Sequence, residues 1–219
     1  METPAMKPDY WDRATRLLSR RDPALHGLID AYPEFHLRRR SDAFTALARA
    51  IIGQQISVKA ADAVWRRFVT AVDPKHADIA FPEVAPTAVA ALTPDALRSA
   101  GLSQRKAEYM QDLARRFADG SLNPENWKTL SDEALIEALV TVKGIGRWTA
   151  EMFLMFHELR ADVFPIADLG LQKAIRLHYA GEHALSLEEM QALAEFWRPY
   201  RSVATWYLWR SLDPLPVEY

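Results

Sequence analysis

Apolar side chains recur along most of the chain at the three- and four-residue spacing of an amphipathic helix. One stripe consists of Phe44, Leu47, Ala48, Ile51 and Ile52, which would share one side of a helix. Strand-like alternation does not persist in any part of the sequence. The pattern therefore predicts an all-α fold.

Capping residues, glycines and prolines mark where these helices begin and end. Ser57, Ser103 and Ser131 each precede a segment of helical periodicity, where a hydroxyl can accept a first-turn N–H. Thr93 stands before Pro94, and proline suits the first position of a helix. The predicted helices cover residues 44–52, 57–72, 94–100, 103–117, 132–140, 147–159, 169–180, 187–197 and 202–211, with a proline-rich loop that contains short helical turns over 73–93.

Composition excludes several classes of protein. The chain has no cysteine, which rules out disulfides, cysteine nucleophiles and cysteine-ligated iron–sulfur clusters. No apolar run reaches the about 18 residues of a membrane span, and the N-terminal segment does not resemble a secretory signal. We therefore expect a cytoplasmic protein, nucleoid-associated if prokaryotic, with no membrane partner. The net charge of -2 requires any nucleic-acid surface to have its basic residues segregated onto one face.

Two glycines, Gly144 and Gly146, separate two helical patterns that together span about 132–158. Glycine allows positive φ and removes the Cβ, so backbone N–H groups can meet an anionic oxygen directly. The following helix then directs its positive N-terminal end at that oxygen. In a plain connection between helices, glycine would merely turn the chain. The residues predicted to contact a phosphate backbone here are Lys143, Gly144, Ile145, Gly146, Arg147 and Thr149.

A carboxylate, Asp168, stands directly before the helix predicted to begin at residue 169. Asp is a favoured N-cap, and this position alone indicates a capping role. A carboxylate held over a reacting centre could also stabilise developing positive charge. The two roles are compatible in part.

These segments resemble the helix-hairpin-helix superfamily of DNA base-excision glycosylases. The resemblance covers roughly residues 40–210 and is closest to the 3-methyladenine DNA glycosylase II branch. Some members of this branch carry an extra N-terminal β-rich domain, which we expect to be absent because only a short segment precedes residue 40. The motifs that carry the resemblance are residues 50–57, 101–107, 140–150, 163–168 and 197–202.

The resemblance implies one glycosylase unit over 1–219, built from two interlocked helical subdomains that flank a DNA-binding cleft. It places the catalytic carboxylate on Asp168. In relatives that also cleave the DNA strand, a Schiff-base lysine occupies the position where this chain has Trp148, and an indole cannot attack the sugar. The resemblance therefore implies a monofunctional enzyme that uses water and leaves an abasic site.

An aromatic cluster near the C-terminus is a candidate base pocket. An alkylated purine is cationic, and an electron-rich indole face attracts such a base by stacking and cation–π interaction. The resemblance places Trp209 and Trp148 in this pocket. Trp206 and Tyr207 are undecided between pocket and core, because aromatics at helical spacing are usually core residues.

The resemblance also identifies a loop that fills the gap left by the flipped base. Gln55 stands where close relatives have an alkyl wedge, and Ile56 is the apolar alternative. Arg105 and Lys106, near a predicted helix start, are candidate phosphate contacts, although solvated surface charges are the default. No cofactor is expected to be required, although in related proteins hairpin carbonyls bind Na+ or K+. The matching carbonyls are those of Val140, Val142 and Ile145.

These features together predict a monomeric DNA glycosylase that excises alkylated purines of the 3-methyladenine and 7-methylguanine type from double-stranded DNA. Two other functions remain open. One is a helix-hairpin-helix protein that binds DNA without catalysis, against which Asp168 and the aromatic cluster argue. The other is a glycosylase for deaminated or oxidised bases, which would prefer a pocket with specific polar donors. A helical protein with no role on DNA is the least specific reading, and the hairpin argues against it.

Overall fold

The computed structural model describes residues 7–76, 79, 82–181 and 185–213. Within these ranges the chain forms α-helices and two short 3-10 segments, Pro74–His76 and Pro124–Thr129, with no strand. The all-α prediction is confirmed. The helices are α1 Trp11–Arg21, α2 Pro23–Ala31, α3 Ala43–Gly53, α4 Val58–Val72, α5 Pro86–Ala90, α6 Pro94–Ser99, α7 Gln104–Ala118, α8 Asp132–Val140, α9 Arg147–Phe156, α10 Leu169–Tyr179, α11 Leu187–Glu195 and α12 Arg201–Leu212.

The predicted caps form as expected. The hydroxyls of Ser57, Ser103 and Ser131 each accept a backbone N–H from the first turn of α4, α7 and α8. The prediction missed α1 and α2, two short helices joined at Asp22, whose side chain caps α2. Asp22 followed by Pro23 is itself a helix-start signal, and Trp11, Ala14 and Leu18 recur at helical spacing, so the local pattern is consistent with both helices.

The helix predicted over 147–159 ends earlier, at Phe156. Leu159 has a φ of 54°, a left-handed conformation, and the backbone N–H of Arg160 donates to the carbonyl of Leu154 at 2.9 Å. This hydrogen bond satisfies a carbonyl that the helix leaves without a partner. The chain then continues through turns at residues 161–162 and 166–167 to Asp168.

One compact unit comprises residues 40–153 and contains α3 to α8 with the start of α9. Its centre is apolar, and α7 packs against α3, α5 and α6. Edge-to-face aromatic contacts run from Phe44 through Phe117 and Trp127 to Phe153, with centroids 5.3, 6.0 and 5.6 Å apart. This packing gives α7 a fixed position within the unit.

The other unit contains residues 7–39 and 154–213 of the described chain, in which α12 packs against α1, α2 and α10. Eight of the twelve residues of α12 are buried and the other four are partly buried, as expected of a helix that is surrounded by its neighbours. Tryptophans dominate the core of this unit, and Trp11 lies 5.4 Å from Trp206 between ring centroids. A helix held on all sides is a rigid support for the few side chains it exposes.

Two further observations concern the surface. Val140, the last residue of α8, is 41% exposed, whereas Val142 beyond the helix end is buried. No helix in the described ranges is both long and apolar enough to cross a membrane.

Candidate functional site

Asp168 caps α10 and is held by a tryptophan. Its Oδ1 accepts the backbone N–H of Leu171 at 2.6 Å and the indole Nε1–H of Trp209 at 3.0 Å. The capping role predicted from sequence is confirmed. The second bond, from α12, fixes the direction of the carboxylate in a way that capping alone would not.

The segment before Asp168 is held by side chains of α10 and α12. Gln172 donates from Nε2 to the carbonyl of Ile166 at 2.8 Å. Ser202 accepts the backbone N–H of Val163 at 2.9 Å. Hydrogen bonds at both ends of this short segment leave little freedom for the backbone that carries Asp168.

Trp209 is the one partly exposed aromatic of α12 in the described chain. Its ring stacks on Phe156, with centroids 6.0 Å apart and planes inclined by 12°. Gly170 makes room beside this pair, because a Cβ built there would lie 3.0 Å from Asp168 Oδ1 and 3.7 Å from the Trp209 ring. The Asp168 carboxylate therefore adjoins a flat aromatic stack of Trp209 and Phe156.

The structure decides the position of Trp206 and Tyr207, which the sequence leaves undecided between a base pocket and the core. Trp206 is 6% exposed and Tyr207 is 1% exposed. Both rings pack against Trp11, and Arg210 lies 4.8 Å from the Trp206 ring centroid. These side chains are core residues, because side chains so deeply enclosed offer no open face to a base.

The turn of the hairpin is shaped by contacts to α7. Gly144 has a φ of 83°, and a Cβ there would lie 2.1 Å from the Tyr109 ring, so the position admits no side chain. Asp112 accepts the backbone N–H of Lys143 at 3.0 Å. Burial acts to raise the pKa of Asp112, but this bond and those from Arg116 outweigh it, so the pKa is lowered. Asp112 is therefore a buried, ionised anchor for the turn.

The Arg147 side chain is ion-paired with two glutamates, and its contact with phosphate stays a prediction. Its guanidinium makes two bonds of 2.7 Å to Glu133 and one of 3.1 Å to Glu151. The bonds to Glu133 raise the pKa of Arg147 and neutralise its charge locally. Ile145 and Thr149 are buried, so only their backbone is available to a ligand. Lys143 has an exposed side chain that makes no hydrogen bond or ion pair with any other described residue.

Gln55 and Ile56, the candidate wedges, lie on the loop after α3 and both are exposed. Gln55 has a φ of 58°, a left-handed conformation that costs a non-glycine residue about 1 kcal/mol. Lys106 does not extend into solvent as predicted for a phosphate contact. Its ammonium donates to the carbonyls of Ile52 and Gln54 at 2.7 Å each. Which residue acts as the wedge stays a prediction, as does the phosphate contact of the exposed Arg105.

The predicted cation ligands are backbone carbonyls at the end of α8. Val140 is the last residue of the helix, and its carbonyl has no acceptor role within the helix. The carbonyl of Val142 accepts the N–H of Ile145 at 3.1 Å and retains one lone pair. These donors suit a monovalent cation, since the negative end of a helix dipole lies there. Side-chain clusters of three or more His, Asp or Glu able to hold a metal are absent from the described residues.

Comparison with known proteins decides the family. A family model described as "HhH-GPD superfamily base excision DNA repair protein" matches residues 48–199. The chain belongs to this superfamily.

Individual members of the HhH-GPD superfamily are similar over most of this chain. It is 36% identical over 171 residues to YfjP of Bacillus subtilis, in a match that covers 78% of this chain and 59% of YfjP. A DNA-3-methyladenine glycosidase structure from Bacillus halodurans has a TM-score of 0.81 at 30% identity, covering 96% of this chain and 93% of that one. The structure of Schizosaccharomyces pombe Mag1, a 3-methyladenine DNA glycosylase in complex with abasic DNA, has a TM-score of 0.75 at 29% identity, covering 94% and 99%. The chain thus spans less than two thirds of YfjP but nearly all of the two solved structures.

Several residues of the candidate site lie outside the superfamily motifs. Phe156 looks like one more apolar position of a helix, and nothing local marks it as the support of Trp209. Asp112 lies far along the chain from the turn it anchors. Gly170 carried a signal, since glycine in the first turn of a helix is unfavourable unless a neighbour needs the space.

Proposed function

We propose that this chain is a monofunctional DNA glycosylase that hydrolyses the N-glycosidic bond of alkylated purines in double-stranded DNA. The observation that carries the proposal is the Asp168 carboxylate, held by the indole of Trp209 beside an aromatic stack. The membership in a base excision repair superfamily and the abasic DNA bound by Mag1 support DNA as the substrate.

The aromatic stack explains a preference for alkylated bases. A purine methylated on a ring nitrogen carries a positive charge, which strengthens stacking on an indole face by about 0.5–2 kcal/mol. The same charge makes the base a better leaving group. Trp209, supported from behind by Phe156, is the platform for such a base once it has left the helix stack.

The proposed reaction breaks the bond between C1′ of the sugar and the base nitrogen. The bonding electrons leave with the base, and positive charge develops on the sugar as an oxocarbenium-like species. Asp168 stabilises that charge and accepts a proton from the attacking water, whose oxygen forms the new bond to C1′. The products are a free base and an abasic site.

The absence of strand cleavage rests on Trp148, which is 39% exposed in the first turn of α9. An indole nitrogen is not a nucleophile and forms no Schiff base with the opened sugar. Borohydride treatment during the reaction should trap no covalent adduct between protein and DNA. A robust adduct would contradict this part of the proposal.

The decisive experiment compares Asp168→Asn with the wild type on methylated duplex DNA, measuring free base and alkali-labile sites. Asn caps helices about as well as Asp, so the substitution removes the charge and leaves the cap. We expect base release to fall by about 10²–10⁴-fold while binding to abasic DNA persists.

The matched control is Asp42→Asn, which changes the N-cap aspartate of α3 and should leave base release unchanged. Full activity of Asp168→Asn would overturn the mechanism. Wild-type protein that binds DNA but releases no base would favour the non-catalytic alternative, and release confined to deaminated or oxidised bases would favour the other glycosylase class.

We further propose that the protein acts as a monomer and that Na+ or K+ binds the carbonyls of Val140, Val142 and Ile145. The carbonyl donors at the end of α8 support the ion, which would link the turn to a phosphate of the bound DNA. Replacing KCl by choline chloride at constant ionic strength should weaken binding to abasic DNA. Equal affinity in both salts would refute the cation site, and light scattering tests the monomer.

A further inference from the structure

Helix α7 holds two separate segments of the unit that contains residues 40–153. Its residues Lys106, Tyr109, Asp112 and Arg116 are spaced by three or four positions and so share one side of the helix. Lys106 contacts the loop after α3, whereas the other three contact the hairpin turn. The same helix face therefore sets where both segments lie.

The loop is held at the point where it leaves α3. The Lys106 ammonium bonds to the carbonyls of Ile52 and Gln54, at the negative end of α3. Burial lowers the pKa of Lys106, as expected for an ammonium enclosed by the backbone it caps. The next residue, Gln55, adopts its left-handed conformation directly after these two bonds.

The loop and the turn are also joined to each other. Gln54 donates from Nε2 to the carbonyl of Gly144 at 2.8 Å. On the other side of the turn, Asp112 accepts from the backbone of Lys143, and Arg116 donates to the carbonyl of Thr141 at 3.0 Å. A chain of hydrogen bonds thus runs from α7 through the loop to the turn and back to α7.

We propose that Lys106 and Gln54 are positioning residues that fix the candidate wedge loop relative to the phosphate-binding turn. The loop can then insert into the base stack while the turn binds the DNA backbone. The inference rests on the proposed function. Flipping a base costs stacking and pairing energy, which the wedge and the backbone contacts must offset together. If the loop shifts relative to the turn, the protein can make the wedge contacts or the backbone contacts, but not both at once.

The test uses Lys106→Met, which keeps most of the length of the side chain and removes both bonds to the loop. Single-turnover excision is measured on one alkylated purine presented in two ways, paired in a duplex and unpaired in a bulge. Misplacement by about 1 Å can cost about 10²-fold, so excision of the paired base should fall by that order. Excision of the bulged base should change little, because extrusion is then cheap.

Two further variants separate positioning from direct DNA contact. Gln54→Leu removes only the bond to Gly144 and should show the same selective loss, with the melting temperature reporting whether each variant folds. Arg105→Met changes the neighbouring exposed cation. If Arg105 contacts phosphate, this variant should lower the slope of log affinity against log salt by about 1, whereas Lys106→Met should not.

The proposal is overturned if Lys106→Met slows excision equally on paired and bulged substrates, or if it lowers the salt slope as a phosphate contact would. It is also overturned if Gln54→Leu, shown to be folded, excises the paired base at the wild-type rate. The wild type is first assayed on the bulged substrate. If it releases no base there, the proposed function is refuted instead, before any variant is compared.

Discussion

Two aspartates of this chain each cap a helix and accept a hydrogen bond from an indole. Asp22 accepts from Trp197 at 2.9 Å, and Asp168 accepts from Trp209 at 3.0 Å. Trp197 is completely buried, whereas Trp209 is partly exposed. The first pair therefore stabilises a core, whereas the second lies partly open to solvent. What an aspartate can do therefore depends on its solvent exposure as well as on its hydrogen-bond partners.

Trp209→Phe should separate the aromatic platform from the hydrogen bond to Asp168. The variant keeps a ring for stacking and loses the Nε1–H donor. A hydrogen bond to a charged group contributes about 1.5–3 kcal/mol, so single-turnover excision should fall by roughly tenfold or more. Trp197→Phe is the control, and it should lower the melting temperature without slowing excision by the folded protein. Equal excision by Trp209→Phe and wild type would mean that the bond does not orient Asp168.

Lys143 and Arg147 adjoin the same glycine turn but should differ in their effect on DNA binding. Lys143→Ala removes an exposed charge, and the slope of log affinity against log salt should fall by about 1. The double variant Glu133→Gln/Arg147→Gln neutralises an ion pair, keeps the net charge and should leave the slope unchanged. Affinity for abasic DNA measured over a salt series tests both. A reduced slope for the double variant would restore Arg147 as a phosphate contact.

Helix α10 shows how one short element combines several tasks. Asp168 caps it, Gln172 holds the preceding segment, and the first turn contains a glycine. Glycine at this position weakens the helix but leaves room for the carboxylate and the indole. Gly170 thus makes the helix less stable than alanine would, and it leaves space for the candidate site at the N-terminus of the helix.

Gly170→Ala should therefore reduce activity without reducing stability. The new methyl group would lie 3.0 Å from Asp168 Oδ1 and displace the carboxylate, and such shifts can slow a reaction by about 10²-fold. Alanine gains up to about 1 kcal/mol in a helix, which offsets the strain. Gly27→Ala in α2, where nothing lies within 4 Å of the added Cβ, should raise the melting temperature and leave excision unchanged. Unchanged excision by Gly170→Ala would show that the carboxylate tolerates displacement.

Charge over the whole molecule is nearly balanced, with a formal net charge of -2. Several arginines form ion pairs with acids, including Arg116 with Asp112 and Arg201 with Asp162. The net charge therefore provides little attraction for a polyanion, and the proposed binding to DNA depends on local contacts. Stability also depends on charge, through a histidine that folding keeps neutral.

Burial lowers the pKa of His157 to about 3, aided by Arg39 and despite Glu158 at 3.5 Å. The unfolded value is about 6.5, so below that pH the unfolded chain binds a proton that the folded chain does not. Stability from this group is present above pH 6.5 and should decrease by about 1 kcal/mol one pH unit below it. Urea unfolding of wild type, His157→Gln and the exposed control His26→Gln should show a flatter acid dependence only for His157→Gln. Equal dependence in all three would contradict the burial of a neutral ring.

Local signals along the chain were sufficient to predict most of the helices, the glycine turn and the cap at Asp168. Periodicity, capping hydroxyls and glycines act over a few residues, and they indicated the helices from α3 to α12 except α5, which lies in the predicted loop. Trp206 and Tyr207 could not be assigned in this way, because Trp11, which covers them, is distant in sequence. Arg147 and Lys106 appeared as free charges for the same reason.

Tertiary packing decided which polar groups are available and which are already bonded. Lys106 binds the backbone of a loop more than fifty positions earlier, and Arg147 is held by Glu133 of the preceding helix. Trp209 and Asp168 lie on different helices, and only their packing gives the carboxylate its direction. Hydrogen bonds and ion pairs form between whichever groups the fold brings within reach, so the chemistry of a site depends on long-range contacts that a local pattern does not contain.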